Sequence, residues 1–227
     1  MKKLFIALFF TSFISSAFAF DLPVELPVDV PGVSKDKKGD SAGGSGTDLK
    51  ALSDQQSAVV ASLNSALRNL SKAQMVFAEA LDLKEVAEVA KVNSENLAKG
   101  DLAGKDELKK VVSSSSDVQA KINKKMAENQ VLSAESKVKF ATGVSPYAKG
   151  TVDVVATGKN AQSATKSLSS TKDLTVLSKM ATLIYVGTES PGMLKLFFDS
   201  TSTLSKFMTA NGIDTKELKS ASDALGE

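Results

Sequence analysis

The sequence predicts an all-α protein: an up-and-down bundle of about five to seven helices, some long, behind an extended Pro/Gly/Ser-rich N-terminal tail. Three observations predict it. Apolar side chains recur at seven-residue spacing after residue 47. Helix-starting and helix-stopping residues fall where those periods begin and end. The one β-branched run, "GTVDVVATG" at 150–158, lies within a helical period and has no evident partner strand.

The chain opens with "MKKLFIALFFTSFISSAFAF". Lys2 and Lys3, an apolar run from Leu4 to Phe10, and the small residues Ala17 and Ala19 have the three parts of a bacterial-type signal peptide over residues 1–19. The run is shorter than the roughly 20 apolar residues that span a bilayer, and Thr11, Ser12, Ser15 and Ser16 interrupt it. Cleavage after Ala19 is expected, placing the protein outside the cytoplasm, in the periplasm or secreted. A lipid anchor is excluded because the chain has no Cys.

Residues 20–46 follow as a tail. Pro23, Pro27 and Pro31 recur every four residues and alternate with Asp21, Glu25 and Asp29. Proline fixes its own φ and drives the preceding residue to extended geometry, so a polyproline-like ribbon is expected. Gly39 to Gly46 reads as a flexible linker. A spacer is the simpler role. The alternative is docking to a partner groove or sheet edge through Leu22, Pro23, Val24, Leu26, Pro27 and Val28.

Residues 47–227 form a single helical domain in this reading. Leu49, Gln56, Leu63, Leu70 and Phe77 make one row of a heptad-like seam, and Leu52, Val59, Ala66, Ala73 and Ala80 the other. Thirty-odd residues give a rod of about 50 Å, and the small row lets a second helix approach closely. Asp82 to Glu85 resembles a capping box opening a second helix that ends at Lys99-Gly100. A second long segment spans about Asp106 to Thr142, with Leu108, Val111, Val118, Ile122 and Leu132 on its apolar face and a bend expected at Ser113 to Ser116. Gly143 ends it, and Ser145-Pro146 reads as an N-cap and first helical residue. Tyr147, Val154, Ala161 and Leu168 then recur at seven. Ser170 to Asp173 opens another helix, with breaks expected at Gly187 and at Ser190-Pro191. Leu194, Phe197, Thr201, Leu204 and Met208 follow, Asn211-Gly212 stops them, and Asp214 to Glu217 starts a last short helix.

Composition narrows the chemistry. There is no His and no Cys, which removes His-dependent triads, thiolate nucleophiles, iron–sulfur clusters and the usual zinc sites. No cofactor is expected. Cleavage takes Lys2 and Lys3 from 28 basic residues against 26 acidic ones and brings the formal charge to zero. That balance does not suit nucleic acid. Glu79, Asp82, Glu85 and Glu88 recur every three residues and could share a face, but nothing beside them adds a ligand, so a solvated face is the simpler account. Gly43 to Gly46 lacks the strand and the Gly-Lys ending of a phosphate loop.

One stretch stands apart. "MATLIYVGTESPGMLKLFF", Met180 to Phe198, places two apolar runs around a Gly-Thr-Glu-Ser-Pro-Gly turn. It predicts a buried helical hairpin; the alternative is a membrane-contacting hairpin using Leu183, Ile184, Leu194, Phe197 and Phe198. The functional expectation is a non-enzymatic exported protein that presents helical faces to a protein partner. A membrane-active protein using residues 180–198 is the alternative, and a carboxylate-dependent enzyme a weaker one.

Overall fold

A computed structural model describes residues 49–100, 104–128, 130–169 and 171–226. The signal segment, the proline-repeat tail with its docking candidates Leu22 to Val28, and Ser170 lie outside the described residues. Among those described, the structure is helical throughout: α1 (Leu49–Ala80), α2 (Lys84–Ala98), α3 (Lys105–Ala127), α4 (Ala134–Thr142), α5 (Val144–Leu168), α6 (Leu174–Lys179), α7 (Ala181–Ala210), a 3-10 turn (Lys216–Leu218) and α8 (Lys219–Leu225). The "GTVDVVATG" run is helical, inside α5.

The centre of the bundle is built from three helices that are not consecutive in the chain. Gly150 of α5 sits against Ala66 and Leu70 of α1, Gly143 just before α5 against Phe77, and Thr157 bonds Ser62 at 2.7 Å. Residue numbers fall on one helix as they rise on the other, so α1 and α5 are antiparallel. Gly158 of α5 lies against Ser190 of α7, Gly187 against Ala161, and Tyr147 donates to or accepts from Thr201 at 3.1 Å. That pair is antiparallel too. The predicted small row of α1 is buried along its whole length, from Leu52 through Val59, Ala66 and Ala73 to Ala80. Of the large row, Leu63, Leu70 and Phe77 are buried, while Leu49 is exposed. Tyr147, Val154, Ala161 and Leu168 are all buried on α5.

Close approach explains the glycines. A Cβ on Gly150 would lie 2.7 Å from Leu70 Cγ and 3.0 Å from the Ala66 carbonyl oxygen. A Cβ on Gly187 would lie 3.0 Å from the Ala161 carbonyl oxygen. Around the far end of this trio the aromatic rings gather. Phe77 stacks on Phe140 at 4.5 Å between centroids, Phe140 meets Phe207 at 5.3 Å, and Tyr147 lies between Phe77 and Phe197. Burying rings of this size contributes most per residue to a core without Trp or disulfides.

Several local expectations are corrected. Asp82 to Glu85 forms no capping box: Asp82 adopts φ 58°, and Leu83 holds the N-cap position with no side-chain bond. Ser145 is no cap either, because α5 already begins at Val144 after Gly143. α3 runs unbroken through Ser113 to Ser116. The segment from 106 to 142 breaks later, between Ala127 and Ala134, where Ser133 caps α4 by accepting from the Ser136 N–H at 3.1 Å. Other signals read true. Gly100 and Gly212 both take positive φ just past their helices, and Asp173 caps α6 by accepting from the Thr175 N–H at 2.8 Å.

The largest correction is at Met180 to Phe198. There is no hairpin. The break falls at Met180, and α7 runs unbroken through Gly187, Ser190 and Pro191. Gly187 serves the contact with α5 rather than a turn. Proline in a helix interior lacks the N–H that would bond four residues back and crowds that carbonyl. The ring of Pro191 lies on the exposed face of α7. Hydroxyls bond the preceding turn: Thr188 donates to the Ile184 carbonyl at 2.9 Å and Ser190 to that of Val186.

Candidate docking surface

The membrane-contact candidates are not exposed together. Leu183 and Phe197 point into the core, Ile184 and Leu194 are half-buried, and Phe198 is 43% exposed. No described helix is long and apolar enough to cross a membrane. The acidic series is dispersed as well. Glu79 closes α1 and pairs with Lys139 of α4 at 3.3 Å, Asp82 lies in the following turn, and Glu88 faces Lys91 at 3.9 Å. Among the described residues no group of three or more acidic side chains could hold a metal ion.

Buried polar side chains do converge, around the serine run of α3. Ser115 donates to Gln74 Oε1 at 3.1 Å, and Gln74 Nε2 donates to the Ser115 carbonyl at 2.9 Å and to Gln119 Oε1 at 3.2 Å. Gln119 donates to Asn123 Oδ1 at 2.9 Å, and Asn123 donates to Ser200 Oγ at 2.8 Å. This chain of amides and hydroxyls ties α1 to α3 and α3 to α7. Its members are neutral and bonded to one another. It supplies no nucleophile paired with a base, and its physical effect is to select which helix faces meet. Ser114 and Ser115 thus lie on the side of α3 that meets α1 and α2, where Ser114 also bonds Asn93.

The junction of α6 and α7 is held from outside by Gln56. Its Nε2 donates to the Lys179 carbonyl at 3.1 Å, and its Oε1 accepts the Leu183 N–H at 3.1 Å. One side chain thereby satisfies a carbonyl at the end of one helix and an N–H at the start of the next. A recess of about 510 Å³ lies beside it, lined by Ser53, Asp54, Gln56 and Lys179 among others.

On the other side of the same junction is a groove of about 390 Å³. Its floor is Leu177 of α6 with Ala181, Ile184 and Tyr185 of α7, and its rim is Lys105 and Lys109 of α3 with Thr188 and Glu189 of α7. Leu174, 79% exposed, extends the apolar line at the start of α6. Residues 174, 177, 181, 184 and 188 follow the three-and-four spacing of one helical face across the break. Burial, and then the negative charge of Glu189, push the Tyr185 phenol above its ordinary pKa. At neutral pH its hydroxyl stays protonated. The sequence reading found the apolar runs of this region but not the lysines, which come from a helix about 75 residues earlier in the chain. Compared with protein-family models, with curated proteins and with solved structures, the chain matches none.

Proposed function

We propose that the mature chain is an exported, non-enzymatic helical scaffold that holds a protein partner in or outside the cell envelope. The observation that supports this most is the partly exposed apolar line of Leu174, Leu177, Ala181 and Ile184, set on a tightly seamed three-helix centre. A face of this kind on a rigid helix pair is what partner helices and loops bury. A membrane reading has its own support in Phe198, which is exposed in the stretch 180–198.

Site-specific photo-crosslinking in the producing cells separates the two. A photoreactive residue at position 174 is expected to give a discrete protein adduct, and one at the exposed Lys159 of α5 none. The membrane reading replaces this one if no adduct forms at Leu174 or at the other exposed apolar residues Val89, Val131 and Val138, while folded protein releases dye from liposomes and Phe198→Ser abolishes the release.

A further inference from the structure

We propose that the groove between α3 and the α6–α7 junction takes an acidic amphipathic helix of the partner, a reading that rests on the partner-binding function above and specifies its chemistry. The floor sets the apolar half of the recognition. Leu174 is almost fully open to solvent, and Leu177, Ala181 and Ile184 are each partly covered. From residue 174 to 188 this line is about 20 Å long, enough for about four turns of a helix laid along it with leucine-sized residues every third or fourth position. An open trough with hydroxyls and charges on its rim suits a helix with a polar back better than it suits a wholly apolar chain.

The rim sets the charge. Lys105 and Lys109 are four residues apart on α3, so they stand one turn above each other on one face. Both are exposed, and neither is in an ion pair among the described residues. The Asn123–Ser200 bond and the shared groove show α3 running alongside α7 in the same direction, with Lys105 and Lys109 beside the first two turns of α7 and Glu189 just beyond them. Two adjacent cations over an apolar floor call for acids on the flank of the bound helix that faces α3. Glu189 calls for a base or a neutral donor at one end, which fixes the direction of the bound helix. The Tyr185 side chain lines the same groove, and its phenolic hydroxyl adds a donor for the same carboxylates.

The test uses the folded mature protein and a fluorescein-labelled synthetic helix of about four turns, with leucines along one face and glutamates on its flanks. A second peptide keeps the leucines and carries lysines instead. Fluorescence anisotropy is expected to show binding of the acidic helix only, weakening as salt rises. Lys105→Glu with Lys109→Glu should weaken it by at least about tenfold, because attraction at the rim becomes repulsion. Leu174→Asp should weaken it severalfold. All three positions are exposed, so the melting temperature should stay unchanged, and this is measured alongside. Equal binding of the two peptides, no binding of the acidic one, or indifference to these substitutions overturns the proposal. So does co-sedimentation with phosphatidylglycerol vesicles in the absence of peptide binding, which would assign the lysines to a lipid surface. A crosslink at position 174 in cells without acidic-helix binding in vitro would leave the partner function standing and remove only this chemistry.

Discussion

Gly150 and Gly192 are the same residue type in helix interiors, and the packing around them gives opposite expectations. Glycine lowers helix stability relative to alanine by roughly 0.8–1 kcal/mol. At Gly192 a Cβ would meet nothing within 4 Å, so Gly192→Ala should stabilise the protein by about that amount. At Gly150 the Cβ would press on the Leu70 side chain and on the backbone of Ala66 and Leu70. Neither backbone nor the Leu70 branch point can yield cheaply. Gly150→Ala should therefore destabilise by about 1–3 kcal/mol despite the better helix propensity. Urea unfolding of the two variants checks the pair. If both moved stability in the same direction, close approach of α1 and α5 would not be what keeps Gly150.

At the scale of elements, the contact of α1 with α3 depends on Gln74. Its amide is fully buried, as are Ser115 and Gln119 around it. Replacing it with Leu keeps the volume near and removes three hydrogen bonds at once, leaving the Ser115 hydroxyl and the Gln119 carbonyl oxygen without their partner. An orphaned buried polar group costs about 1–3 kcal/mol. Gln74→Leu should lose at least that much in chemical unfolding, and amide hydrogen exchange should quicken in α3 before α5. Ser113→Ala, on the exposed side of the same run, should leave both measurements within error. A silent Gln74→Leu would mean that apolar packing alone positions α3.

At the scale of the whole molecule, the expected address and the described body meet at the start of α1. Exported protein should begin at Phe20, which intact-mass measurement reads directly; a mass retaining residues 1–19 would overturn export by cleavage. Limited proteolysis should remove residues from the 20–46 stretch first, since prolines and glycines there offer no helical periodicity. The body from α1 onward should resist, and far-ultraviolet circular dichroism of the mature chain should be dominated by helix. Protection of the tail in the isolated protein would count against a bundle with an independent tail.

Periodicity made the helical class legible without coordinates, and it did so because burial at one face imposes its spacing on the residues that fill it. The rows through Ala66 and Ala73 and through Tyr147 and Leu168 could be read for that reason. So could the stops at Gly100 and Asn211-Gly212, whose left-handed glycines are a local requirement of the backbone. Where a residue's role depends on a neighbour from elsewhere in the chain, the local pattern misled. Gly187 and Pro191 look like a turn, yet one meets α5 and the other faces solvent in an unbroken helix. Ser115 looks solvated, yet it answers an amide 41 residues away. The candidate groove belongs to the same class: its floor was visible as an apolar run, but its lysines join it only when α3 lies down beside α7. Sequence by itself determined the helical class and the residue types that the chain lacks, because both depend on residue type and spacing. Only the tertiary structure decided which helices are neighbours and which charges stand over apolar ground, because contacts between distant residues carry no local period.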